Sequence, residues 1–155
     1  MADTQFTATA QSIEGLQVRA SSRQHTITVD EPAALGGTDL GANPVELLLA
    51  ALGSCQVIVA RAYAEARGIN LRDVAIDVTG TLDPDGFLGK NPDAKLGFSA
   101  ITSRFRIDAE NTQEEIEQFV EFIEATCPVL DTLVNTPRIA AEVAPAGEGK
   151  GTASA

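Results

Sequence analysis

From Asn43 to Gly68 the chain is apolar on nearly every side: Pro-Val-Glu-Leu-Leu-Leu-Ala-Ala-Leu-Gly-Ser-Cys-Gln-Val-Ile-Val-Ala, then Arg61 and a short Ala-rich end. Asn43 is a good N-cap, Glu46 can reach back to the cap amide, and Pro44 suits the first helical position. Gly68 after Arg67 is a fitting stop. The spacing predicts a helix from Pro44 to Arg67. A helix with apolar residues around most of its circumference has to be covered around most of it, so a buried central helix is expected. Its longest apolar run, Leu47 to Ala60, is short for a bilayer and contains Ser54, Cys55 and Gln56.

The rest of the chain reads mainly as strands. Thr4–Gln11 and Leu16–Ala20 are expected as short strands around a turn at Glu14-Gly15. His25–Asp30 alternates, with Ile27 and Val29 on one face. Glu31–Ala42 is a loop marked by Pro32 and Gly36-Gly37. Val74, Ile76 and Val78 recur at every second position, the period of a half-buried strand. Asp83–Lys95 is a turn-rich excursion, Leu96–Ile107 a returning strand, and Arg138–Val143 a closing one. A second helix is expected to start at Asn111 with Glu114 as its acid and to end at Cys127, before Pro128. Residues 1–144 are read as one domain. Residues 145–155, rich in Gly, Ala and Ser, are read as a flexible tail.

Charge narrows the partners. A net charge of −11 repels nucleic acid and anionic membrane surfaces. No signal for export is read at the N-terminus, and a soluble cytoplasmic protein is expected. His25 is the only histidine, so a histidine metal cluster is excluded, and no Gly-x-Ser-x-Gly elbow accompanies it for hydrolysis. Gly36-Gly37 lacks the Lys of a phosphate loop. Neither a metal nor a cofactor is expected.

The two cysteines remain. Helical spacing gives Cys55 the neighbours Leu48, Ala51, Leu52, Ile58, Val59 and Ala62, all apolar. Ile116, Phe119, Val120, Ile123 and Cys127 form one stripe on the second helix. Spacing leaves two readings open: both thiols fill the core, where free Cys is common, or they meet as a redox-active dithiol.

The stretch from Asp30 through Gly36-Gly37 and Asn43-Pro44 to Cys55, with Ala125-Thr-Cys-Pro-Val-Leu130 about seventy residues later, resembles the OsmC/Ohr family. The similarity spans roughly Thr4 to Val143. It implies an α+β fold in which antiparallel sheets wrap long central helices in an intertwined homodimer. It also implies a thiol-dependent peroxidase acting on organic hydroperoxides, with Cys55 as the peroxidatic nucleophile and Cys127 as the resolving thiol. A sulfenic acid would form on Cys55, then a Cys55–Cys127 disulfide, reopened by an external dithiol such as a lipoyl-bearing protein. The alternative is an OsmC-like redox-sensing or small-molecule-binding protein that keeps the dithiol with little turnover.

Two departures from the peroxidase pattern stand out. The loop Glu31–Ala42 contains no Arg or Lys; Arg19 and Arg23 are nearby in sequence, and both read best as solvated charges. Val45 occupies the usual Glu position. Glu46 lies nine residues before Cys55, half a helical rotation away at about 100° per residue, so a capping role is expected for it. Phe87 and Leu88 are expected either as a lid or, preferably, in a dimer surface.

Overall fold

The computed structural model describes residues 3–145. The tail expected at 145–155 lies outside the described residues except for Pro145. The chain divides into two compact units, one of residues up to Leu47 together with those from Arg138 onward, the other Leu48–Pro137.

In the first unit β1 (Thr9–Ser12), β2 (Val18–Ser22) and β3 (His25–Val29) form an antiparallel sheet in the order β1-β2-β3. Ala10 stands opposite Ala20, and Ala20 opposite Ile27. The turn falls where expected: Gln17 N–H donates to Glu14 O at 2.9 Å, and Gly15 takes a φ of 55°. Val29 is buried as expected, whereas Ile27 on the same face is half exposed.

The loop after β3 is organised by Asp30. Its carboxylate accepts from the Thr38 hydroxyl at 2.5 Å and from the backbone N–H groups of Glu31, Thr38 and Leu40 at 2.8, 3.1 and 3.2 Å. Those donors hold the carboxyl below the usual carboxylate range, the Thr38 hydroxyl contributing most. Gly37 is needed here for space, since a Cβ on it would lie 1.8 Å from Glu31 O. The loop delivers the chain to α1 (Pro44–Tyr63). Asn43 and Glu46 cap that helix reciprocally, side chain to backbone, at 2.9 Å in both directions.

α1 ends earlier than the sequence suggests. The last turn tightens into a 3-10 segment, Glu65–Arg67, and Gly68 stops it at a φ of 70°. At 20 residues, with a mean hydropathy of 1.6 over an 18-residue stretch, α1 has the length and composition of a membrane span, which the run Leu47–Ala60 understated. Core helices meet the same description. Nor is α1 buried all round in the single chain. Leu52, Gly53, Gln56, Val59 and Ala60 are buried, while Leu48 is 38% and Ile58 66% exposed.

In the second unit β4 (Leu71–Thr81) and β5 (Ala100–Ala109) form an antiparallel pair, with α2 (Pro84–Phe87) in the excursion between them. β5 begins later than expected. Phe98 does not join the pairing; its ring fills the space a Cβ on Gly80 would need, 2.4 Å from the nearest ring atom. The alternation seen in the sequence puts Val74 opposite Ile107 and Ile76 opposite Phe105. These join Val59, Ala60, Ala64, Ile69, Phe119 and Ile123 in the core. Asp77 and Asp108 project from intervening positions and pair with Arg106 at 2.9 Å and Arg72 at 2.5 Å. Gly53 lets α1 approach the sheet, because a Cβ there would stand 3.1 Å from Val78 Cγ2. Phe87 and Leu88 are exposed in the single chain.

The next helix, α3 (Gln113–Thr126), is capped one residue later than expected. Thr112 is the N-cap and Glu115 completes the box. Asn111 has another task, accepting from Asn70 N–H at 2.8 Å and donating to Gly68 O at 3.0 Å. α4 (Pro128–Val134) follows directly.

The expected strand Arg138–Val143 does not form. Residues 136–145 carry no regular element, and Ile139 and Val143 are 85% and 100% exposed. A strand needs a paired edge to satisfy its backbone, and none is supplied to this segment among the described residues.

Candidate functional site

Cys127 occupies a junction. It is the C-cap of α3 and the N-cap of α4. Its N–H donates to Glu124 O at 3.4 Å, its carbonyl accepts from Asp131 N–H at 3.0 Å, and its Sγ accepts from Leu130 N–H at 3.4 Å. Pro128 makes this local arrangement natural. It cannot continue α3 and fits the first position of a new helix.

Cys127 is buried, and Cys55 is close enough to act on its titration. Burial pushes the Cys127 thiol above the ordinary range. The backbone amides of Leu130 and Val129 pull the other way, and the neighbouring Cys55 adds to the rise. Cys55 is only partly buried, and both cysteines are free. The two residues that the sequence singled out are neighbours, one partly buried and one enclosed. Two thiols in contact can become one disulfide with the loss of two electrons and two protons.

The surroundings of Cys55 are less uniformly apolar and enclosed than spacing suggests. Leu52 and Val59 are buried beside it, but Leu48, Ala51, Ile58 and Ala62 face outward, so Cys55 sits at the border of a core face and an open apolar face. Among the cations of this unit, Arg61, Arg72 and Arg106 are engaged by carboxylates and Arg67 lies over the Phe122 ring, 3.7 Å from its centroid.

The other candidates from the sequence have structural placements in the first unit. Arg19 is exposed on β2 opposite Thr28, Arg23 is in the β2–β3 turn with a φ of 53°, and His25 is exposed at the start of β3. Glu46 is the partner of Asn43 in the cap, and Val45 is 38% exposed.

One residue of this neighbourhood was not anticipated. Gln56, next to Cys55, is fully buried, and both its amide nitrogen and its amide oxygen lack a hydrogen-bond partner. The signal was available: Gln56 stands one helical turn from both Leu52 and Ala60, on the face that the core covers.

A family profile described as OsmC-like protein matches residues 37–142. The chain is 30% identical over 135 residues to a hydroperoxide reductase of Mycoplasma genitalium, covering 86% of this chain and 90% of the relative. Among solved structures, an OsmC-like protein from Mycoplasma pneumoniae superposes with a TM-score of 0.75 at 27% identity, over 87% of this chain and 91% of that one. An organic hydroperoxide resistance protein OsmC from Legionella pneumophila superposes with a TM-score of 0.65 at 22% identity, over 86% and 91%, a likeness of fold. The mixed α/β architecture with antiparallel sheets is that of these proteins, and with a family match spanning both cysteines the chain belongs to the OsmC family.

Proposed function

We propose that this protein is a thiol-dependent peroxidase that reduces organic hydroperoxides to alcohols. The observation that carries the reading is the proximity of a partly exposed Cys55 to a buried Cys127. Hydroperoxide reductase is the name of a relative that matches most of the chain.

In this reading Cys55 is the nucleophile. Its thiolate attacks the terminal oxygen of the hydroperoxide, the O–O bond breaks, and the alkoxide leaves as the alcohol after taking up the proton that the thiol gave. Cys55 is left as a sulfenic acid. Cys127 then attacks that sulfur, the S–O bond breaks, and water leaves with the Cys127 proton, giving the Cys55–Cys127 disulfide. A dithiol reductant reopens it by exchange and is itself oxidised to a disulfide. The division of roles follows from burial. Burial holds Cys127 as the protonated thiol, suited to react only with a sulfur already beside it. The apolar side chains around Cys55 favour an alkyl or fatty-acid hydroperoxide over a small polar one.

The working unit in this reading is a homodimer. The outward apolar stripe of α1, Leu48, Ala51, Ile58 and Ala62, borders Cys55, and a second copy covering it would enclose the thiol.

One observation favours a second reading. A nucleophilic thiol is activated by a nearby cation, and in the cysteine-bearing unit Arg61, Arg72 and Arg106 are held by carboxylates and Arg67 by an aromatic ring, with Arg104, Lys90 and Lys95 outside those pairings. A redox sensor or small-molecule-binding protein with the same dithiol and little turnover would fit that. Turnover of cumene hydroperoxide with dihydrolipoamide separates the two. The peroxidase reading expects catalysis by the wild type and none by Cys55→Ser; equal, background rates for both would leave the sensor.

A further inference from the structure

Gln56 combines three properties that ordinary packing does not explain. Its side chain is wholly buried, it is polar, and both ends of its amide are unpaired. Burying an amide without partners costs free energy, and an apolar side chain of the same shape would avoid the cost. Such a group is retained where a partner arrives during function or where the resting protein holds one.

Its location favours a partner from the reaction. Gln56 follows Cys55 and precedes Ala60 by one turn of α1. On α3, Cys127 follows Ile123 by one turn. Ile123 shares a core cluster with Val59 and Ala60, and Cys127 neighbours Cys55. Gln56 is the buried, core-facing residue of α1 that directly follows Cys55. The two thiols do not draw on this amide in the resting state.

We propose that the Gln56 amide is the hydrogen-bonding partner of the oxygen that is transferred to Cys55. The inference rests on the peroxidase reading above. A terminal hydroperoxide oxygen carries one hydrogen and lone pairs, so it can accept from Nε2 and donate to Oε1 together. The same O–H group is kept when the O–O bond breaks and the oxygen passes to sulfur, so both hydrogen bonds persist from bound hydroperoxide to sulfenic acid. The leaving alkoxide takes its proton from elsewhere, namely the one released by the Cys55 thiol. The amide is neutral throughout; it orients the reacting oxygen and donates to it as negative charge spreads along the breaking bond.

Gln56→Met, close to glutamine in shape and without hydrogen-bonding capacity, tests this beside the wild type and Cys55→Ser. Three quantities are measured: kcat/KM for cumene hydroperoxide, the rate of Cys55 alkylation by iodoacetamide, and the thermal midpoint of the reduced protein. The expected result is a fall in kcat/KM of about tenfold, the scale of a lost hydrogen bond. Alkylation should be unchanged and the midpoint equal or higher. Unaltered kcat/KM in Gln56→Met would overturn the proposal while leaving the peroxidase reading intact. A lowered midpoint would overturn it too, because it would mean that the amide has a partner at rest. A wild type no faster than Cys55→Ser would remove the peroxidase reading, and this inference with it.

Discussion

The Cys127 sulfur accepts the Leu130 N–H at 3.4 Å and has the Cys55 thiol as a neighbour. Bonding to the backbone fixes where the buried sulfur sits, and Cys55 comes to it from another helix. Two free neighbouring cysteines on different helices can join once their sulfurs come into contact, which sets the first expectation.

Cys127→Ser should stop oxidation at the first stage. After one equivalent of cumene hydroperoxide the wild type should show the intramolecular disulfide by mass spectrometry. The variant should instead carry a dimedone-reactive sulfenic acid on Cys55. A disulfide-free wild type treated in the same way would refute the resolving role.

The Asp30 carboxylate should give the fold an acid limit. Its folded pKa is lowered, first by the Thr38 hydroxyl and further by the Leu40, Glu31 and Thr38 amides, with burial opposing them. The stability it contributes is therefore present above the unfolded value of about 3.9 and is lost as pH falls through the folded one. Urea midpoints measured from neutral pH downward should fall less steeply in Asp30→Asn than in the wild type, from a lower starting point at neutral pH. Parallel curves would remove Asp30 as the cause.

Ile58→Glu tests the homodimer. Ile58 is 66% exposed in the single chain, on the stripe that borders Cys55. Sedimentation should give a dimer for the wild type and a shift to monomer for the variant, because a charge in a covered apolar face lacks a partner. A monomeric wild type would overturn the assembly.

What the sequence disclosed, and what it hid, divides along the range of the forces involved. The Asn43–Glu46 cap and the alternation of Val74, Ile76 and Val78 are local matters, and both are found in the structure. Asn111 misled because Asn and Thr are both good caps; the choice fell to Thr112 once Asn111 was taken by Gly68 and Asn70. The strand expected at Arg138–Val143 depended on an edge that no local pattern can provide. Composition also overstated the cover on α1, since an apolar circumference says what a helix needs, not what one chain supplies. The proximity of Cys55 to Cys127 is a tertiary matter that helical spacing could only leave open. Gln56 stood in plain view as a polar residue in an apolar run, yet its lack of partners emerges only when every neighbour is placed.

Cys127 closes one helix and opens another, lending its amide, its carbonyl and its sulfur to the two ends. Chemistry on that atom is therefore chemistry on an elbow. Whatever the thiol pair goes through, the seven residues from Pro128 to Val134 are attached to it as a forearm.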